Sequence, residues 1–454
     1  MMLYYLDPND FSADSDSGMI QQAINEASRT GCNKVVIPAY NKRTGKYIWE
    51  IDQTIKLPSH IYVEINNAHL RMADGVICQM FQNENAFLEI GTQAEGMQED
   101  IIIQGVGRAL LDGGKHNGLR ETTQRQNGLP DVYHNLTIYL HNVRNFKVDG
   151  LTIRDQRWWS TCCVFCWEGI ISNIRFELTD RSYRANHPLG AEYPWRNQDG
   201  IDLRIGCHDI QIMNITGQTG DDIVALTALA APGTNRFEDK YRCKHLSPDV
   251  YNITIQNIEG YNNNCALVRL LCHYRNQIYN INMNNIIDRT SANEPVALGE
   301  GLRTASCVKV GEIGYHKGIP ENRCRLGEMR NIRINGVYSS SLSAVTINCN
   351  VRNLTVRDVY VDKTGGYALA VAQIQGGTFT GLENPNNITD AQNVLVDGVF
   401  YNSEREDGAP FFFNGLRAQN FCVRNVSHNA KELVRYHREQ PDSEQVTFEN
   451  IVAR

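Results

Sequence analysis

The chain has 454 residues, 42% of them apolar, with 36 Gly and 13 Pro, a composition that excludes intrinsic disorder and supplies a large buried core. Lys plus Arg number 44 against 51 Asp plus Glu, so the net charge of −7 lacks the basic excess of a phosphate-backbone binder, and nucleic acid is excluded as an expected partner. No apolar run approaches the ~20 residues that span a bilayer. The start, Met1-Met2-Leu3-Tyr4-Tyr5-Leu6-Asp7-Pro8, has no basic region followed by an apolar stretch, so no membrane association and a cytoplasmic location are expected.

The first regular element reads as a helix over 17–30. Asp16 and Ser17 offer an N-cap, Ile20, Ala23, Ile24 and Ala27 share one face, and Gly31 can stop it. From Val35-Val36-Ile37 onward the pattern changes to short alternating runs separated by Asn, Asp and Gly, which reads as many short strands. The thirteen cysteines are odd in number and scattered through apolar runs, which fits buried, reduced thiols. Cys162, Cys163 and Cys166 lack the second half of a metal motif, and alternation along a strand sends neighbours to opposite faces.

A phrase of the form Asn-apolar-x-apolar-x-Asn/Asp/Gly-apolar then recurs, beginning at Asn145, Asn173, Asp209, Asn252, Asn280, Asn331, Asn353, Asn393, Asn420 and Gln445. Successive copies stand some two dozen residues apart, as from 331 to 353 or 252 to 280, which is a solenoid period without the Leu frame of leucine-rich repeats. The predicted fold is all-β, a single-stranded right-handed parallel β-helix forming one domain over 1–454. The helix caps its first coil, and inserted loops lie near 115–135, 178–196, 230–249 and 288–328. Asn tolerates unusual turn dihedrals, so stacked Asn side chains are expected to bond one another at the corners. The far end has no cap in the sequence, which leaves a loop or another subunit to cover it and carries homo-oligomerisation as an expectation.

Carboxylates one coil apart in such a fold come close in space. Asp199, in Asn197-Gln198-Asp199-Gly200-Ile201-Asp202, precedes Asp221 in Thr219-Gly220-Asp221-Asp222-Ile223 by one coil length, from 199 to 221. Asp199, Asp221 and Asp222 are therefore expected in one solvent-facing patch, where mutual repulsion raises at least one pKa and lets an acid and a base coexist near neutral pH. Turn chemistry accounts for any one of these aspartates alone.

These two motifs resemble the Asn-Thr-Asp-Gly and Asp-Asp-Cys-Ile-Ala blocks of the polygalacturonase-like glycoside hydrolases (family 28), members of the pectate-lyase-like β-helices. Ile103 to Gly114 is similar to that family's Gly-x-Gly-x-Ile-Asp-Gly stretch, and Trp158-Trp159-Ser160-Thr161 to its Trp-Thr coil. The resemblance runs over roughly 14–230. It implies hydrolysis of a glycosidic bond with inversion, Asp221 protonating the leaving oxygen and Asp199 and Asp222 activating water, with no metal or other cofactor. Exo-action on pectin-like or related oligosaccharides is the accompanying expectation, the long loops walling off one end of a groove. The family carries Gly-His-Gly on the next coil, whereas Asn263-Asn264-Cys265-Ala266 here sets Cys265 about where that His falls. Its Arg-Ile-Lys has no faithful copy, and Arg269, His273, Arg303 and Lys309 are the nearest candidates. Together with Asn197, Asp202, Arg204, Trp159 and Trp195 they are the expected substrate contacts, and the uronic-acid preference stays open. Two other readings stand beside hydrolysis. One is a calcium-assisted lyase or epimerase, with the Asp patch holding the ion and Arg269 or Lys309 as base. The other is a β-helix that binds glycans without turning them over.

Overall fold

In the computed structural model, which describes residues 4–115, 132–179, 197–229, 241–290, 303–312, 323–375, 378–406, 408–437 and 446–454, the helix Asp16–Thr30 stands at the start of the regular structure. Its N-cap is Ser15, whose side chain accepts the Gly18 N–H, and left-handed Gly31 (φ 70°) ends it. Asp16 and Ser17, the expected caps, lie inside the first turn and are buried. They bond to following coil segments instead: Asp16 pairs with Arg43 at 2.7 Å and accepts the Glu50 N–H, and Ser17 Oγ donates to Asp52 Oδ1 at 2.7 Å. Met19, Ile20, Ala23, Ile24 and Ala27 form the buried face, which packs on strands Lys34–Pro38, Trp49–Ile51 and Ile55–Leu57 and so covers the first coil.

The chain divides into two compact units, Met1–Gly220 with Gly233–Ser247, and Asp221–Pro232 with Pro248–Arg454. In the first, strands Lys34–Pro38, Ile61–Asn66, Gln98–Val106, Val143–Asp149, Trp167–Glu177 and His208–Gln218 pair in parallel, in that order. Val35, Val63, Ile103, Val148, Ile171 and Ile212 stand in register down the row and are all fully buried. A second parallel row holds Ile55–Leu57, Phe81–Asn83, Ile138–His141, Thr161–Val164 and Ile201–Leu203.

The second unit repeats the design. Strands Val250–Tyr261, Ile278–Asp288, Met329–Ser339, Val351–Val361, Thr389–Tyr401, Leu416–His428 and Val446–Ala453 form one row. Val224–Ala228, Ala266–Cys272, Ser306–Val310, Ser343–Ile347, Tyr367–Val371, Phe411–Phe413 and Val434–Tyr436 form the other. Each unit is a parallel β-helix, because one winding contributes a strand to each row and the next winding hydrogen-bonds directly onto it.

The first row of the second unit alternates buried and exposed positions, as in Met329–Ser339. In the other row, strands such as Ser343–Ile347 are buried throughout, so both faces are covered. The same holds for Thr161–Val164, where Cys162 and Cys163 are both buried although alternation points them to opposite faces. All thirteen cysteines are free thiols, nine of them buried.

The Asn corners behave as expected. Asn252, Asn280, Asn331, Asn353, Asn393 and Asn420 all have φ of 55–58°, and each Nδ2 from Asn280 onward donates to the preceding Oδ1 at 2.9–3.0 Å. Asn fits because the left-handed region is open to it at low cost and its amide offers both a donor and an acceptor. Asn353→Ala is expected to lower stability by about 2 kcal/mol, from a strained backbone plus two broken amide bonds. Asn353→Gly should recover the backbone part, and urea unfolding of both variants tests this. No described helix is long and apolar enough to cross a membrane. The expected loops fall largely on 116–131, 180–196, 230–240, 291–302 and 313–322, outside the described residues.

Candidate functional site

Arg303 and Trp195 aside, the sequence-predicted residues fall into one group in each unit. In the first unit, backbone bonds fix the segment that carries Asp199: Ser160 N–H donates to Asp199 O at 3.0 Å and Thr161 N–H to Gly200 O at 2.9 Å. Gln156 Nε2 adds a bond to Gln198 O at 3.1 Å. Asp199 is 1% exposed. Asp202, in register with Cys162 on strand Ile201–Leu203, is fully buried, with Arg204 Nη1 3.5 Å from its Oδ1.

The Arg204 guanidinium stacks 4.3 Å from the centre of the Trp159 ring, and Trp159 Nε1 donates to Asn197 Oδ1 at 3.1 Å. Asn197, Trp159, Asp202 and Arg204 thus form one linked group. Trp159 is only 4% exposed, so it supports Arg204 and does not present an open platform to a sugar. Trp195 lies outside the described residues.

In the second unit the strands align charges. Arg269 and Lys309 are register partners on neighbouring strands Ala266–Cys272 and Ser306–Val310, so two cations sit side by side. Two carboxylates answer them. Arg269 Nε lies 2.6 Å from Asp222 Oδ2 and its Nη1 3.7 Å from Glu312 Oε2, while Lys309 Nζ lies 3.0 Å from Glu312 Oε1 and donates to Ile374 O. Asp222 Oδ1 also accepts the Ala266 N–H at 2.8 Å, and Asp221 Oδ1 accepts the Asp222 N–H at 2.9 Å. His273 is buried and bonds through Nε2 to Glu312 O at 2.8 Å, so it frames the group from behind.

Arg303 stands apart. It is buried, and its guanidinium donates to the Ser340 and Thr364 carbonyls, a role in joining coils.

The Asp222 carboxyl is pushed up to about 7. Burial is the leading cause, opposed by Arg269 and reinforced by the charge of Asp221. A raised acid was expected from repulsion among aspartates, and the difference is physical: Asp222 is 2% exposed, so loss of water outweighs its like-charged neighbour. Asp199 is buried as well and Asp221 partly so. The expected picture of three solvent-facing acids thus gives way to enclosed carboxyls with Asp221 the most open.

Glu312 was not foreseen. Its only sequence signal is Lys309-Val310-Gly311-Glu312, an acid three residues after a candidate cation at the end of a strand. Gly311, at φ 86°, turns the chain so that Glu312 comes back beside Lys309, and a Cβ there would meet Cys349 Cβ and Sγ at 2.3 Å. Gly311→Ala is therefore expected to cost about 3 kcal/mol and to shift the urea midpoint downward.

Among the described residues, two groups offer three ligand atoms within 4.8 Å of one another: His60, Glu99 and Asp100, and Asp221, Asp222 and Cys265. The first is occupied by its own contacts, Asp100 pairing with His60 at 2.7 Å and accepting Asn145 Nδ2. The second puts Cys265 beside the acids, at the place the resemblance gives to a His, and its thiol does not suit calcium, which takes oxygen ligands.

No protein-family model matches the chain, and no curated protein matches it by sequence. Solved structures do. The hyperthermoactive exopolygalacturonase of Thermotoga maritima is 15% identical with a TM-score of 0.55, over 94% of this chain and 92% of that one. The tailspike protein of E. coli bacteriophage HK620, solved with a pentasaccharide, is 14% identical with a TM-score of 0.52, over 98% of this chain and 65% of that one. The chain therefore has the parallel β-helix fold that these two proteins share. At such identity the likeness is one of fold.

Proposed function

We propose that this β-helix acts on glycans as a glycoside hydrolase, with the Asp221–Asp222 pair donating the proton to the leaving oxygen and Asp199 activating water. The observation that carries the reading is the buried Asp222 carboxyl, whose pKa near 7 lies in the range a general acid needs at neutral pH. Asp199 joins the Asp221–Asp222 pair in this reading through the one-coil offset of the sequence, and inversion follows from the resemblance of the two motifs. Exo-action on oligosaccharides belongs to the same resemblance. Arg269 and Lys309 are both engaged in ion pairs, which argues against either as the free base of a lyase or epimerase.

The test is to incubate the full chain with neutral and acidic oligosaccharides and follow product anomers by NMR. An inverted product that disappears in Asp221→Asn and Asp222→Asn supports the proposal. Tight binding with no product from the parent chain would instead make it a glycan binder, a reading that likeness to a tailspike solved with a pentasaccharide favours.

A further inference from the structure

The cations of the second unit share an internal partner, Glu312. A site for a uronate needs a positive group whose charge is available to the substrate carboxylate. Here Arg269 and Lys309 stand in register on adjacent strands, and Glu312 bridges them, 3.7 Å from one and 3.0 Å from the other. Asp222 closes on Arg269 at 2.6 Å. The four side chains are 3–12% exposed, so these pairs are only weakly screened by water.

Glu312 thus faces both cations, and Asp222 faces Arg269 as well. To gain Arg269 or Lys309, a substrate carboxylate would have to displace an acid already in place. Repulsion from Glu312, which stands against both cations, adds to that penalty. A hydroxyl meets no such penalty, because it both donates to a carboxylate and accepts from an ammonium or guanidinium.

Resting on the glycan-acting reading above, we infer that Glu312 is a specificity-determining residue: it neutralises Arg269 and Lys309 so that the sugar unit beside Asp222 is a neutral hexose or pentose and not a uronic acid. Glu312 touches the cations and not the reacting atoms, and so it selects the substrate through them.

The test uses the full-length protein with matched oligosaccharides of galactose and of galacturonic acid, measuring affinity by calorimetry and kcat/KM by product release. The expected result is a preference for the neutral series of at least tenfold in the parent chain. In Glu312→Gln, which keeps the size of the side chain and removes the acid that Lys309 and Arg269 share, the preference should shift toward the acidic series by at least tenfold. A parent that prefers galacturonate overturns the inference while leaving hydrolysis standing. A neutral preference that is unchanged in Glu312→Gln removes Glu312 from the role. If the parent neither binds nor cleaves either series, the glycan-acting reading fails, and this inference goes with it.

Discussion

Asp222→Asn is expected to reduce turnover by 10²–10⁴-fold, the usual contribution of a positioned proton donor. In the parent chain the same group should set the alkaline limb of the activity profile near pH 7, where the buried carboxyl gives up its proton. Stability carries the same signature. The folded carboxyl holds its proton up to about 7, while an ordinary one holds it only to 3.8, so the folded state binds the extra proton between those values. The stabilisation from this group is complete below the lower value and is lost as pH climbs through the higher one. Urea midpoints measured from pH 4 to 8 should therefore fall in the parent, and that part of the slope should vanish in Asp222→Asn. An unchanged slope would show that Asp222 does not hold a proton near neutral pH. Asp221, Arg269, Lys309, Glu312 and Cys265 all border the group, and none of them is altered in this variant.

Arg269→Met should be the most destabilising single change at the site. It keeps the length and apolar stem of the side chain but leaves Asp222 and Glu312 facing each other without their shared cation. Removing one member of a buried ion pair costs about 3–5 kcal/mol, because the remaining charge stays desolvated and uncompensated. Loss of the cation also removes the influence that lowers the Asp222 pKa, so the alkaline limb of any residual activity should move to higher pH. The double variant Arg269→Met, Glu312→Gln should lose less than the sum of the two single changes, since both single changes break the same Arg269–Glu312 contact. Additive losses would show that the two residues are not coupled.

Much of the fold was legible because each winding must repeat one chemical requirement. Asn280, Asn331 and Asn353 mark their corners in the sequence since few other residues accept that backbone and bond to their own kind above and below. The apolar alternation of Ile332 and Ile334 follows from a strand with one covered face. The site was less legible, for a related reason. Its strands are covered on both faces, so alternation carries no information there, and Trp159 and Arg303 turn out to be buried supports where sugar contacts were expected. Glu312 escaped because its significance comes from Arg269 on the neighbouring strand, which only the register brings alongside Lys309. The N-cap is Ser15, one residue before the expected Asp16 and Ser17, which instead find partners in Arg43, Glu50 and Asp52.

The amide column at the corners has an evolutionary consequence. Its hydrogen-bonded neighbours are separated by 22 residues in one step, 40 in another and 51 in a third, yet the bond lengths stay within 0.1 Å of each other. The spine therefore sets where each winding must land and leaves the length of the excursion between landings unconstrained. Segments can grow, shrink or be exchanged without disturbing the neighbouring turn, so a lineage could refit what it grips while inheriting the same backbone.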